Sequence, residues 1–122
     1  MDYQNYALGK WIKGDGKGTP LFNAITGKEI GRATSKGLDF RHMMDYSRKK
    51  GGPALRKLTF QQRCLMLKSL ALHLHSIKDK FYELSYATGA TKIDSWIDIE
   101  GGIGNLFANS SLRRQFPDLP YY

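Results

Sequence analysis

Apolar residues recur in steps of three and four from Phe60 to Leu84: Phe60, Cys64, Leu67, Leu70, Ala71, Leu74, Ile77, Phe81 and Leu84. That is the helical period, held for about seven turns. Thr59 with Gln62 three residues later predicts a capping box at the start, and Gly89 a stop. Ser76 with Asp79 predicts a second start, so two consecutive helices are expected, breaking between Ser76 and Lys78. The first carries more than one apolar seam, because Leu65 and Leu72 lie well away from the main stripe. A helix apolar on more than one side is buried on more than one side, and a chain of 122 residues offers little material to cover it.

Before this stretch the pattern changes to partial alternation. Tyr6 to Lys13 predicts two short strands around Gly9-Lys10, and Pro20 to Ile25 with Lys28 to Thr34 a second pair around Thr26-Gly27. A small antiparallel sheet over residues 6–34 follows. Ser35 to Lys50 predicts a helix ended by Gly51-Gly52-Pro53. Beyond Gly89, Thr91 with Asp94 marks a further start, with Ile93, Trp96, Ile97, Ile103 and Phe107 as its apolar positions. Gly101, Gly102 and Gly104 lie inside that helix, each at a cost of up to about 1 kcal/mol relative to Ala. Such a group of glycines fits either a close backbone approach or a helix break. The expected elements are strands within about 6–34 and helices at about 36–50, 60–76, 78–88 and 92–112, in one domain, with an irregular tail from Pro117 to Tyr122.

Composition narrows this. An apolar fraction of 41% is ordinary for a globular chain and argues against disorder. No apolar run approaches membrane-spanning length, and MDYQNYALGK lacks the regions of a signal peptide, so a cytoplasmic protein is expected. A single cysteine forms neither an internal disulfide nor a cysteine zinc site. The net charge of +8 is concentrated in residues 41–80, which hold ten of the 19 Lys/Arg and two of the 11 Asp/Glu. This fits a footprint for an anion such as nucleic acid, or a solvated face with acidic partners elsewhere; no aromatic residues interleave as a nucleic-acid platform needs.

Candidate chemistry is sparse. Gly14-Asp15-Gly16-Lys17-Gly18 resembles a phosphate loop, but Trp11 stands where the first Gly is required and Gly18 follows the Lys. Thr19 replaces the third Gly of the dinucleotide pattern, leaving a hairpin loop. Cys64 sits on an apolar stripe, where a thiol packs rather than reacts. His73 and His75 are two apart and point to different sides of a helix. Asp94, Asp98 and Glu100 are clustered without a cleft. Composition and spacing therefore support no catalytic, cofactor or metal residues.

The residues do carry a resemblance. GKWIKGDGKGTPLFNAITGKEIGRATS resembles the N-terminal strand pairs of aldehyde dehydrogenases, with Asn23, Thr26, Gly27 and Ile30 matching and Ala24 replacing the usual Pro. Arg63, Leu67, Ala71 and Leu74 match the family's Arg-x-x-x-Leu-x-x-x-Ala-x-x-Leu helix, and Thr88-Gly89 its helix end. GLDF, GGPALRKLTF, FYELSYATGAT and DSWIDIEGGIGNLF are similar to the bifunctional branch of phenylacetic acid degradation, an aldehyde dehydrogenase joined to a ring-opening hydratase. The resemblance runs from about Tyr6 to Pro120. It implies an α/β fragment in which a small antiparallel sheet and packed helices form the start of a coenzyme-binding domain. It also implies that the nucleophilic Cys, the general-base Glu and the NAD or NADP site lie beyond this region, so the chain is expected to bind no cofactor and to be inactive as it stands. In the complete relative, Cys attack on a CoA-linked semialdehyde gives a thiohemiacetal, hydride passes to the nicotinamide, and Glu-activated water releases the acid. The expected partners are the remainder of that domain and further copies of the full-length protein, not a membrane or nucleic acid. The local contribution implied is the last helix, where Trp96, Glu100, Ile103 and Phe107 are candidates for lining the substrate entrance. The alternative is a free-standing basic helical module that binds nucleic acid or a protein.

Overall fold

A computed structural model of the chain describes residues 2–119. The chain divides into two compact units, Met1–Pro53 and Ala54–Tyr122. The architecture is an α/β fragment, with antiparallel strand pairs followed by helices.

The first unit holds two separate hairpins instead of one sheet. β1 (Asn5–Ala7) pairs with β2 (Lys10–Ile12) through a two-residue turn at Leu8-Gly9. Both turn residues have positive φ, 55° and 79°, which matches the right-handed twist of the strands. Opposite each other across the pair, the Tyr6 and Trp11 rings meet edge to face at 5.2 Å. β3 (Thr19–Phe22) pairs with β4 (Glu29–Ala33). β3 ends at Phe22, not Ile25, because the Asn23 side chain accepts hydrogen bonds from the backbone N–H of Ile25 and Thr26, at 2.9 and 3.0 Å. Those amides are thereby withdrawn from the ladder, and the loop widens.

The glycine-rich link from β2 to β3 is packed against the chain after β4. Asp15 N–H donates to the Lys36 carbonyl at 2.9 Å, and a Cβ on Gly14 would lie 2.3 Å from the Thr34 carbonyl oxygen. Close backbone approach, not phosphate binding, explains that glycine.

α1 (Phe40–Tyr46) begins five residues later than expected, where the Asp39 carboxylate accepts from His42 N–H at 2.8 Å. Nor does Gly51-Gly52-Pro53 end the helical path. A wider π turn, Ser47–Gly51, leads directly into α2 (Gly52–Arg56). Gly52 N–H reaches back to the Ser47 carbonyl, five residues away. That shift in the ladder accommodates the missing N–H of Pro53.

The second unit contains α3 (Phe60–Ser76), α4 (Lys78–Ala87), α5 (Lys92–Ser111) and a 3₁₀ turn, Leu112–Arg114. Capping boxes at Thr59/Gln62 and Thr91/Asp94 start α3 and α5. The break between α3 and α4 falls at Ile77, but Ser76 does not cap α4; its hydroxyl donates back to the His73 carbonyl at 2.7 Å. After the 3₁₀ turn the chain crosses the start of α3. Phe60 N–H donates to the Leu119 carbonyl at 2.9 Å, the Gln61 amide donates to the Arg113 and Phe116 carbonyls, and the Phe60 and Phe116 rings lie 5.1 Å apart. Of the tail expected from Pro117 to Tyr122, the part from Pro120 onward lies outside the described residues.

α5 packs against both α3 and α4. Cys64 and Ala71 of α3, and Ser95, Ile103 and Ser110 of α5, are buried, all small side chains except Ile103. The buried hydroxyls are satisfied, Ser95 by Ser85 of α4 at 2.9 Å and Ser110 by the Phe107 carbonyl at 2.8 Å. Among the described residues no large apolar side chain is fully buried. Leu65 and Leu72 on one seam of α3 are 49% and 53% exposed, and Met66 and Leu70 on another are also exposed. Only one side of α3 is covered. α5 runs unbroken through Gly101, Gly102 and Gly104, and a Cβ at any of the three would meet nothing within 4 Å.

Candidate functional site

Charged and aromatic side chains line a concave surface between α4 and α5. Lys78, Tyr82 and Tyr86 recur every four residues along one face of α4, and Lys92, Trp96 and Glu100 do the same on α5. With Asp79 and Glu83 they line an open cleft of about 470 Å³. Its base is a three-way contact. Lys78 Nζ donates to Glu100 Oε1 at 2.8 Å, and the Tyr82 hydroxyl donates to the same oxygen at 2.9 Å. The Lys78 hydrogen bond, reinforced by that from Tyr82, holds the Glu100 carboxyl below its ordinary range. Burial, then the hydrogen bond to Glu100 and its charge, pushes the Tyr82 phenol up. Glu100 is thus an ionised acceptor already engaged by two donors, suited to fixing α4 against α5 rather than to moving protons. The Tyr82 and Tyr86 rings, 6.1 Å apart, form the α4 wall, and exposed Trp96 belongs to the α5 wall.

The four α5 candidates separate accordingly. Trp96 and Glu100 line the cleft. Ile103 is 6% exposed and belongs to the core, and Phe107 is half-buried with its carbonyl engaged by Ser110. Sequence reasoning missed the α4 side, although the four-residue spacing of Lys78, Tyr82 and Tyr86 marks one face of a helix.

The remaining candidates are dispersed. Cys64 is buried, with its thiol directed at the Asn109 carbonyl, 3.8 Å away. Among the described residues no three His, Cys, Asp or Glu side chains come together as a metal site. The basic residues of 41–80 are divided between the two units: Arg41, Arg48, Lys49 and Lys50 in the first, Arg56 to Lys80 in the second. Arg63 and Lys68 lie about 140° apart around α3, and Lys78 is paired with Glu100. A dinucleotide cradle requires a parallel strand feeding a helix N-terminus. Both strand pairs described here are antiparallel, and in α3 and α5 the Thr59 and Thr91 side chains each take one first-turn amide, that of Gln62 and of Asp94. Among the described residues no parallel strand feeds a helix N-terminus in the way such a cradle requires. Among the described residues no helix is long and apolar enough to cross a membrane.

No protein-family model matches the sequence. Over 104 residues, however, it is 34% identical to 3,4-dehydroadipyl-CoA semialdehyde dehydrogenase from Aromatoleum evansii. The chain is related to an aldehyde dehydrogenase. The match covers 84% of this chain and 20% of that protein, so the chain spans about a fifth of the length of the relative.

Proposed function

We propose that this chain is a structural segment of an aldehyde-oxidising protein of phenylacetic acid catabolism, acting in the cytoplasm on a CoA-linked semialdehyde. The match to the dehydroadipyl-CoA semialdehyde dehydrogenase carries this reading. The exposed seams of α3 support it, because they present apolar surface to which the remainder of such a protein docks. The oxidation, with NAD or NADP as hydride acceptor, belongs to that remainder, and the chain alone is inactive. In the assembled protein, itself a homo-oligomer, the α4–α5 cleft flanks the substrate entrance. Trp96 offers an aromatic wall there, and the engaged Glu100 holds that wall in place.

A chimera tests the reading. The 104-residue segment of the Aromatoleum evansii protein is replaced by the matching residues of this chain, and oxidation of the CoA-linked semialdehyde is followed by reduction of NAD or NADP. The expected result is activity within about tenfold of the parent, with Trp96→Ala raising KM more than it lowers kcat. A chimera that folds and assembles like the parent yet oxidises nothing would overturn the assignment.

A further inference from the structure

The charges that line the α4–α5 cleft are unequally engaged. Lys78 and Tyr82 of α4 reach Glu100, and Ser85 meets Ser95, so the two helices run antiparallel and Glu100 lies at the Lys78 end. Both donors go to Glu100 Oε1; among the described residues Oε2 receives none. Asp79 and Glu83, which line the cleft from α4, are exposed and make no ion pair among the described residues. Of the lining cations, Lys78 is paired with Glu100 and Lys92 is not. Lys92 lies eight residues before Glu100, about 12 Å away along α5. With Lys78 and Glu100 cancelling, two carboxylates face one ammonium, in a chain whose net charge is +8.

Three rings stand beside these carboxylates. Tyr82 and Tyr86 lie 6.1 Å apart on α4, and Trp96, 56% exposed, lines the cleft one turn from Glu100. An aromatic face attracts a cation through its quadrupole, the indole most strongly. Rings next to carboxylate oxygens that lack donors select a flat cation in particular. A guanidinium stacks on a ring and donates to carboxylates at the same time, whereas an ammonium is a compact point charge. The phosphates of a CoA-linked substrate would instead meet like charge at Asp79 and Glu83. The cleft, about 470 Å³, is open along one side. It has room for the main chain that carries a side chain, whereas a free small ligand is held where most of its surface is buried.

We infer that the α4–α5 cleft receives an arginine side chain of another polypeptide segment. Its guanidinium lies against the aromatic walls, with the unengaged carboxylate oxygens as acceptors. The Lys78–Glu100–Tyr82 contact keeps Glu100 ionised and in place, and so presents Oε2 without a rival donor. The inference rests on the lining of the cleft and not on the dehydrogenase reading, so an inactive chimera leaves it standing.

NMR of the indole N–H signals of the 122-residue chain tests it. The chain has two tryptophans, and Trp11 lies in the other unit, so its signal is an internal control; a Trp11→Phe variant assigns the pair. Acetyl-Gly-Arg-Gly-amide, titrated at constant ionic strength, should shift the Trp96 signal saturably and leave that of Trp11 unmoved. The citrulline peptide, which keeps the shape and loses the charge, should bind at least tenfold more weakly, as should CoA, and the lysine peptide at least threefold more weakly. Replacing Asp79→Asn and Glu83→Gln together, at two exposed positions, should leave the chain folded and weaken binding of the arginine peptide at least threefold. An unresponsive Trp96 signal, an equal shift at Trp11, equal binding of the citrulline or lysine peptide, tighter binding of CoA, or indifference to the double substitution each overturns the proposal.

Discussion

Ile103 and Ile97 share a helix and a side chain but not an environment, so truncating each to Ala separates the core from the open face of α5. Ile103 is 6% exposed and Ile97 58%. Removing three side-chain carbons from Ile103 forfeits about 0.8 kcal/mol each, and the residual cavity raises the loss to about 2–4 kcal/mol. A few tenths return through the better helix propensity of Ala. The helical unit, at about 0.05–0.15 kcal/mol per residue, has roughly 3–10 kcal/mol in total, so Ile103→Ala should leave it marginal or unfolded. Ile97→Ala loses little folded-state contact and gains the propensity increment, so the expected change is within about 0.5 kcal/mol of zero. The assay is urea unfolding followed by circular dichroism, at concentrations where sedimentation shows a monomer. With a slope of about 1–2 kcal/mol/M, the Ile103→Ala midpoint should fall by roughly 2 M. Equal losses for the two variants would mean that the outward face is already covered within one chain, and the assignment of core and open face would be wrong.

Four further outcomes follow from the same structure. Thr59→Ala removes the hydroxyl that accepts from Gln62 N–H and should cost about 1 kcal/mol in the same unfolding assay, with Thr59→Ser near neutral. The Glu100 carboxyl, lowered chiefly by Lys78, stabilises the fold above the unfolded carboxyl value of about 4.3 and ceases to do so as pH falls through its depressed folded pKa. Glu100→Gln should therefore flatten the acid limb of a stability–pH profile. Tyr82, raised by burial, acts in the opposite sense, its contribution being lost as pH rises through a folded pKa above the usual 10; Tyr82→Phe should flatten the alkaline limb. Leu72→Asp should leave the monomeric chain folded but abolish the activity of the chimera, and equal activity with and without the substitution would contradict docking at that seam.

Much of the helical unit is legible from the periodicity and capping residues. Thr59/Gln62 and Thr91/Asp94 form the boxes their spacing predicts, because a capping box is a local event within one turn. The two-sided apolar character of α3 also reads correctly as surface that this chain alone does not cover. The errors arise where a side chain competes with the backbone or one turn changes its ladder. Asn23 captures two amides and shortens β3, Ser76 bonds backward instead of capping forward, and the π turn carries the helix through Gly51-Gly52-Pro53. Trp96, Glu100, Ile103 and Phe107 come as a set from the resemblance; that Trp96 and Glu100 share a cleft with α4 side chains depends on how two helices cross, and spacing within one helix does not encode that.

The most direct test of the account is the solvent exposure of the α3 seam, alone and in place. Leu72→Cys in a Cys64→Ser background supplies a single thiol on that seam, labelled by a water-soluble maleimide in the isolated chain and in the chimera. The account predicts fast labelling in the isolated chain, where Leu72 is 53% exposed, and at least tenfold slower labelling in the chimera. Equal rates in a folded, active chimera would show that the remainder of the enzyme does not cover this face and would contradict the reading of the chain as a docked segment.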